Sequence, residues 1–235
     1  MSVIRRRRLY EDVAERVEKR IRDDDFAPGA QLPSEREMMR EFGVGRPAIR
    51  EALFHLSKMG LIELKSGERA RVTEPTPRAV VEQLAGTARY FLSNPDGVRH
   101  FQEIRAFLEA GLARYAAEHA SPADLADLAA ALEHNRLSLA HRRKFAETDV
   151  AFHYAIAIIP RNPIFTALHA AIFEWLKDQR TITLSEPGQI QTAYAAHVAI
   201  YDSICARDLD CAEREMRVHL EQVAAIYARI AGGGA

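Results

Sequence analysis

Hydrophobic positions in the first part of the chain recur at the spacing of an α-helix. An apolar side chain stands at every fourth position from Leu9 to Ile21, which predicts an amphipathic helix over residues 8–23. Ser34 and Glu37 have the spacing of a capping box, in which each side chain bonds the backbone amide of the other residue. They predict the start of a second helix.

A third helix and a pair of short strands complete this region. The turn at residues 43–45 leads into a helix that begins at about Arg46. Residues 61–65 and 69–73 partly alternate apolar and polar side chains on either side of a Ser-Gly turn, which predicts a hairpin. Three helices followed by a hairpin form a winged helix-turn-helix, which we predict for residues 1–74.

The pattern in the rest of the chain is helical, so the fold is predicted to be mainly α. Proline follows a capping residue at Ser121 and again at Asn162, which is typical of helix starts. A linker at 75–79 is expected to lead into an antiparallel helical bundle over residues 80–235. The predicted helical segments lie near 78–93, 96–119, 122–141, 144–159, 163–179, 188–206 and 208–231.

Charge divides the chain near the same place. The first 78 residues carry 17 Lys and Arg against 14 Asp and Glu, whereas the rest carries 15 against 19 and eight of the nine histidines. Such an asymmetry indicates two domains with different partners. No apolar run is long enough to span a bilayer, no signal peptide is visible, and the two cysteines have no zinc or redox spacing. We therefore expect a cytoplasmic protein without a membrane partner.

Basic side chains occupy the positions at which a winged helix-turn-helix touches DNA. The recognition helix of the motif, which is the helix predicted from about Arg46, lies in the major groove. There arginine binds guanine through two hydrogen bonds. A glycine at the wing tip lets the main chain approach the minor groove, and the arginine run at residues 5–8 is typical of a phosphate-binding arm. The alternative is that these arginines form a solvated basic surface without contacting DNA. This alternative carries weight only for the arginine run at residues 5–8. The predicted DNA contacts are Arg8, Arg36, Arg46, Ala48, Arg50, Ser66, Gly67 and Arg69.

Four residues of the second domain combine metal-ligand chemistry with apolar helix faces. Asp149 and His153 are one helical turn apart and share a face, and His197 and His219 each lie within an apolar stripe. One buried histidine is typical of a hydrogen-bonded core residue, but four such groups are costly to bury without a partner. The set suits Zn²⁺, Ni²⁺, Mn²⁺ or Fe²⁺. For Asp149 and His153 alone, a surface capping or salt-bridging pair is the alternative.

An inward-facing arginine predicts an anion nearby. Arg105 falls within the apolar stripe of its helix, and a buried guanidinium needs an anionic partner. That partner is either Glu109, in a structural salt bridge, or the carboxylate of an effector, which arginine binds through two parallel hydrogen bonds. Glu109 is then expected to hold Arg105 or to accept a hydroxyl of the effector. Asn162, which also fits a helix cap, and Arg180, expected just after a helix, are further candidates for the pocket.

Several stretches of the sequence resemble the GntR family of bacterial repressors. The DNA-binding domain of that family resembles Leu-Pro-Ser-Glu-Arg-Glu at 32–37, Gly-Val-Gly-Arg-Pro-Ala-Ile-Arg-Glu-Ala-Leu at 43–53 and Gly-Leu-Ile at 60–62. The helical second domain resembles the FCD effector domain of the FadR-type subfamily. Within that subfamily, residues 66–72 and 114–120 resemble sialic acid-responsive members.

The resemblance implies a repressor that binds double-stranded operator DNA as a homodimer and responds to a small carboxylate effector. It assigns the four candidate ligands to the metal site of the FCD domain, with Zn²⁺ as the metal. It also favours the effector role of Arg105, because the family places an arginine on this long helix. N-acetylneuraminate is the effector that it implies first, and a hexuronate or another organic acid is the alternative.

Two other classes of function are weaker. An Asp/His₃ metal centre with an open position can activate water in an enzyme, but no residue is clearly placed as a general base beside the four ligands. A nonspecific architectural DNA binder needs a strongly basic chain, because phosphate neutralisation carries its affinity, and the net charge here is −1. The sequence therefore predicts a regulator and not an enzyme.

Overall fold

The computed structural model describes residues 8–74, 76–82 and 84–232, and the chain divides after Gln83 into two compact units. Each unit has its own hydrophobic core. Arg5, Arg6 and Arg7 of the predicted DNA-binding arm lie outside the described residues. Among the helices described, none combines the length and the hydropathy that crossing a bilayer requires.

The first unit is a winged helix-turn-helix, as the sequence predicts. Its strands pair antiparallel, with Ile62 opposite Val72 and Glu63 opposite Arg71. The core lies between the three helices and this hairpin and includes Ile49. In chain order, the elements are α1 (Leu9–Arg22), α2 (Glu35–Phe42), α3 (Arg46–Lys58), β1 (Ile62–Glu63), β2 (Arg71–Val72) and α4 (Pro77–Glu82).

Local sequence explains how these elements begin and end. The backbone amide of Ser34 donates to Glu37 Oε2 at 2.7 Å, and the amide of Glu37 donates to Ser34 Oγ at 3.3 Å, so the predicted capping box opens α2. Gly43 ends α2 with φ at 65°, a left-handed conformation that glycine adopts without strain. That turn directs the chain into α3, the predicted recognition helix.

The second unit is an antiparallel helical bundle, and its described residues contain no strand. Its largest helix contact joins α6 and α12, followed by α11 with α12 and α7 with α8. Alanines on α6 allow the close approach of these helices, because Ala110, Ala113 and Ala116 are fully buried. The helices are α5 (Ala85–Phe91), α6 (Pro95–His119), α7 (Pro122–Leu137), α8 (Arg142–Ala157), α9 (Pro163–Trp175), α10 (Lys177–Thr183), α11 (Gln189–Cys205) and α12 (Leu209–Gly232).

Three predicted segments differ from the observed helices. The single helix predicted over 78–93 is divided into α4, which ends at Glu82, and α5, which begins at Ala85. Helix α4 begins at Pro77, inside the predicted linker, because proline suits the first turn of a helix. The predicted helix over 163–179 is interrupted at Leu176, whose φ of −95° and ψ of 18° leave the helical region. Leu176 is buried, so tertiary packing outweighs the helical pattern there. Arg180 consequently lies within α10 and not after the end of a helix.

Candidate functional site

The predicted DNA contacts lie on the surface of the first unit. Arg46 and Arg50 stand one turn apart on α3, and Ala48 between them is half-buried. The remaining candidates, Arg8, Arg36, Ser66, Gly67 and Arg69, are exposed. At the wing, Gly67 has a φ of 79°, which makes the tight turn without strain. This surface therefore presents cationic side chains to solvent.

An acidic side chain that the sequence analysis did not single out contacts both arginines of α3. Glu35, the first residue of α2, accepts a hydrogen bond from Arg50 Nε at 2.9 Å. The other oxygen of the same carboxylate lies 3.6 Å from Arg46 Nε. Nothing local in the sequence indicates this contact, because it joins residues of two different helices.

In the second unit, the four predicted metal ligands converge. Asp149 and His153 on α8, His197 on α11 and His219 on α12 are all buried. Each offers one ligand atom, and these atoms lie within 4.8 Å of one another. Asp149 Oδ1 lies 3.5 Å from His197 Nε2. The donors are nitrogen and oxygen, which suits Zn²⁺ and the other divalent transition metals named from the sequence.

The protonation of two of these histidines suits metal binding. Burial holds the pKa of His197 and of His219 well below the usual value, so both rings are neutral and offer a lone pair. The Nε2 atoms of His153 and His197 are buried and have no hydrogen-bond partner among the described residues. Two orphaned nitrogens in one cluster are costly, and a metal ion would satisfy both.

Two polar side chains behind the cluster hold the histidine rings in place. Asn135 Oδ1 lies 2.9 Å from His197 Nδ1, and because an amide oxygen only accepts, Nδ1 carries the proton. Glu109 Oε2 contacts His153 Nδ1. Both contacts engage Nδ1 and leave Nε2 available as a ligand atom, which is the usual arrangement behind metal-bound histidines. Asn135 was not found from the sequence, because a single buried asparagine has no local signature.

Arg105 lies beside this cluster and meets Glu109, so the predicted salt bridge is present. Its Nε donates to Glu109 Oε1 at 2.6 Å, and both residues are buried. Burial alone would raise the pKa of Glu109, but His153 and Arg105 together lower it below its usual value. Glu109 is therefore a carboxylate that connects the arginine to His153, one of the candidate metal ligands.

A narrow cavity lies between Arg105 and the cluster of candidate metal ligands. Arg105 and Arg180 line it on the cationic side, and Asp149 and His219 line it from the cluster. The guanidinium carbons of the two arginines lie 4.3 and 5.3 Å from the ring centre of Phe173, which is buried. Burial lowers the pKa of Arg180, consistent with its half-buried position in the cavity wall.

Two other predicted effector residues do not line this cavity. Glu109 is occupied by Arg105 and His153. Asn162 is exposed, and its Oδ1 accepts from the backbone amide of Ile164 at 3.0 Å, so the side chain caps α9. Near Phe173 lies His169, a buried histidine that the sequence analysis passed over, whose pKa burial lowers to about 4.

Two family descriptions match the chain. "Bacterial regulatory proteins, gntR family" matches residues 9–72, and "FCD domain" matches residues 101–222. The first match covers the winged helix-turn-helix, and the second covers most of the helical bundle, including the four candidate metal ligands and both arginines of the cavity.

Whole-chain relatives and solved structures agree with these matches. The HTH-type transcriptional repressor NanR of Salmonella newport is 44% identical over 226 residues, which is 94% of this chain and 86% of that protein. NanR of Escherichia coli K12 is 45% identical over 94% of this chain and 85% of its own length. The solved structure of Streptococcus agalactiae GntR shares the fold, with a TM-score of 0.62, 22% identity, and coverage of 92% of this chain and 99% of that one.

Proposed function

Because the chain belongs to the gntR family of bacterial regulatory proteins and carries an FCD domain, we propose that it represses transcription and that a small acid bound in the helical unit alters its affinity for operator DNA. Its relatives are transcriptional repressors and not enzymes, so the chain is a DNA-binding regulator. We place its action in the cytoplasm, where its operator would lie.

The DNA-binding part of the proposal rests on the exposed cationic surface of the first unit. Arg46 and Arg50 on α3 would contact base edges in the major groove, with Ala48 between them and Arg36 nearby. Residues 66–69 at the wing would approach the minor groove. Arg8, with the arginines that precede it in the sequence, would bind phosphate without sequence preference.

The effector part rests on one observation: Arg105 and Arg180 share a cavity with two of the four candidate metal ligands. Two guanidinium groups near a divalent cation leave a strong positive charge. Among the described residues, Arg105 forms an ion pair with Glu109, whereas Arg180 forms none. An anionic ligand would complete this charge balance, and a carboxylate fits the donors of arginine. The site therefore favours a small organic acid.

Asp149, His153, His197 and His219 would hold the metal, and Zn²⁺ is the ion that we propose. When bound, the metal supplies a fixed positive charge that attracts the effector's carboxylate. Glu109 and Asn135 orient two of the histidine rings, and Arg105 and Arg180 bind and orient the acid. Ni²⁺ and Mn²⁺ suit the same donors and are the alternatives.

We propose N-acetylneuraminate as the effector. The relatives that match most of the chain are NanR repressors, and the sequence motifs resemble sialic acid-responsive members of the family. A hexuronate or a simpler organic acid is the alternative, because the cavity contacts described above select for a carboxylate and do not define the rest of the ligand.

We also propose that the regulator works as a homodimer that pairs through α6. Ile104, Phe107 and Tyr115 lie on one side of this helix, and their exposed fractions are 50%, 78% and 38%. A contiguous exposed apolar stripe on a folded unit is typical of an interaction surface, and a second copy of the same stripe covers it in a two-fold dimer. Sedimentation of wild type and Phe107→Glu tests this part, since a charge at that position should shift the protein towards monomer.

A thermal-shift experiment tests the effector proposal. N-acetylneuraminate, galacturonate and citrate are added to the zinc-loaded protein and to chelator-treated protein. The effector should raise the melting temperature of the loaded protein, because it binds only the folded state, and the rise should shrink after chelation. If none of the acids shifts either form, the proposed effector class is wrong.

A further inference from the structure

The contacts of Glu35 have a geometry that bears on base recognition. One of its carboxylate oxygens accepts a hydrogen bond from Arg50 Nε. The other oxygen makes its closest contact with Arg46 through Nε as well. The terminal amino groups of these two arginines form no hydrogen bond within the part of the chain that the structure describes. Arginine binds guanine O6 and N7 with just such a pair of donors.

A carboxylate in this position fixes how the two guanidinium groups point. Arginine side chains have several rotatable bonds, and ordering them on binding costs conformational entropy. Two like charges one turn apart on a helix also repel each other. Glu35 counters both effects at once, because it stands between the two arginines and is itself placed at the N-terminus of α2, where a negative charge is favoured.

We infer that Glu35 is a positioning residue for base reading, which holds Arg46 and Arg50 by Nε so that the outer edges of both groups face guanines. The inference rests on the proposed role of these two arginines. Glu35 does not contact DNA itself in this scheme. Its contribution to folding is small, because ion pairs at the surface add little stability, and so its effect is on sequence discrimination.

The test compares Glu35→Gln with Glu51→Gln. Glu51 is exposed on α3, next to Arg50. Its substitution removes the same charge from the DNA-binding unit, and none of the described ion pairs joins Glu51 to an arginine. The probes are a short duplex selected by the wild type from a random pool, the same duplex with 7-deazaguanine at its guanines, which removes the N7 acceptor, and an unrelated duplex. Melting curves confirm that both variants are folded.

The wild type and Glu51→Gln should each bind the 7-deazaguanine duplex about tenfold more weakly than the parent duplex. Glu35→Gln should reduce this ratio to about threefold or less, while its affinity for the unrelated duplex changes as that of Glu51→Gln does. Equal ratios for the two variants would overturn the inference and show that Glu35 contributes only charge.

Arg46→Ala and Arg50→Ala, measured on the same probes, separate this inference from the proposed function. If both arginine variants lose the discrimination and Glu35→Gln keeps it, the arginines act as base readers without help from Glu35. If neither arginine variant loses it, the proposed readers are wrong and the inference about Glu35 is overturned with them.

Discussion

The two units of this protein carry their charged functional groups in opposite ways. In the first unit, the side chains of Arg46 and Arg50 are 60% and 66% exposed. In the second, the side chains of Arg105 and Glu109 are 8% and 3% exposed. The two arginines of the first unit are therefore accessible to a large anionic partner, whereas the ion pair of the second unit is enclosed by protein.

This difference has a physical consequence for mutations. An exposed arginine exchanges water or a surface ion pair for DNA, so its removal costs the fold little. A buried charge must be compensated at all times, so removal of one member leaves its partner unpaired in the interior. Substitutions in the first unit should therefore change binding alone, and those in the second should change binding and stability together.

The largest effect is expected at the metal-ligand cluster. The double substitution His153→Ala, His197→Ala removes two of the four candidate ligands and should abolish metal binding. Elemental analysis of the purified protein measures the bound metal. The bundle should still fold, because most of its core lies outside the cluster. His169→Ala is the matched control, since His169 is also buried but is not among the four ligands. Stoichiometric metal in the double variant would rule out the site.

The next effect concerns the enclosed arginine. Arg105→Ala should abolish the response to the acid while leaving operator binding near wild type. Truncating one partner of a buried charged hydrogen bond costs about 2–5 kcal/mol of binding free energy. Such a loss lowers the affinity for the effector by more than tenfold. Calorimetric titration of N-acetylneuraminate measures this loss.

Because the salt bridge between Arg105 and Glu109 is present, a purely structural role for Arg105 needs its own test. In that case Arg105→Ala and Glu109→Ala should both lower the melting temperature and scarcely change effector affinity. Normal effector binding by an early-melting Arg105→Ala protein would remove Arg105 from the proposed pocket.

A smaller effect is expected at the residue behind His197. Asn135→Ala removes the acceptor that orients the ring, and loss of such an outer partner typically costs about 10–100-fold in metal affinity. Competition with a chromophoric chelator measures the change. Asn162→Ala is the control, because Asn162 caps a helix and lies outside the cluster. Equal metal affinity in the two variants would show that Asn135 serves only the packing of the core.

These positions also show what the sequence alone predicts. The helical period places Asp149 and His153 on one inward face and gives His197 and His219 inward positions. The sequence therefore predicts that the four side chains converge. The partners Glu109 and Asn135 are different. Their contacts with the histidines depend on how α6, α7, α8 and α11 pack, which no local pattern contains.

The fold shows the same division between local and tertiary information. The winged helix-turn-helix has strong local markers, and its capping box at Ser34 and turn at Gly43 lie where the sequence places them. The break at Leu176 has no such marker, since an apolar residue continues the helical pattern there. Leu176 is buried at this break, and Arg180 lies beyond it in the separate helix α10.

On the exposed side of the comparison, Arg46→Ala and Arg50→Ala should each weaken operator binding by roughly tenfold and relax sequence preference. The melting temperature should stay within experimental error of wild type, in contrast to Arg105→Ala. Fluorescence anisotropy with the selected duplex measures the affinity. Wild-type binding by either variant would mean that α3 is not the recognition helix or that its other face meets DNA.

The smallest effect is expected for Arg8→Ala. Arg8 is exposed before α1, and its backbone amide, not its side chain, donates to Glu11 at 3.0 Å, so truncating the side chain leaves the helix start intact. Loss of one phosphate contact should weaken binding to selected and unrelated duplexes by the same few-fold factor. It should also reduce the slope of log affinity against log salt by about 1, because one fewer counterion is released. A titration of both duplexes over a range of salt concentrations measures slope and ratio together. If Arg8→Ala changes the ratio between the two duplexes, the residue contributes to sequence reading, and the division between base-reading arginines on α3 and a phosphate-binding arm fails.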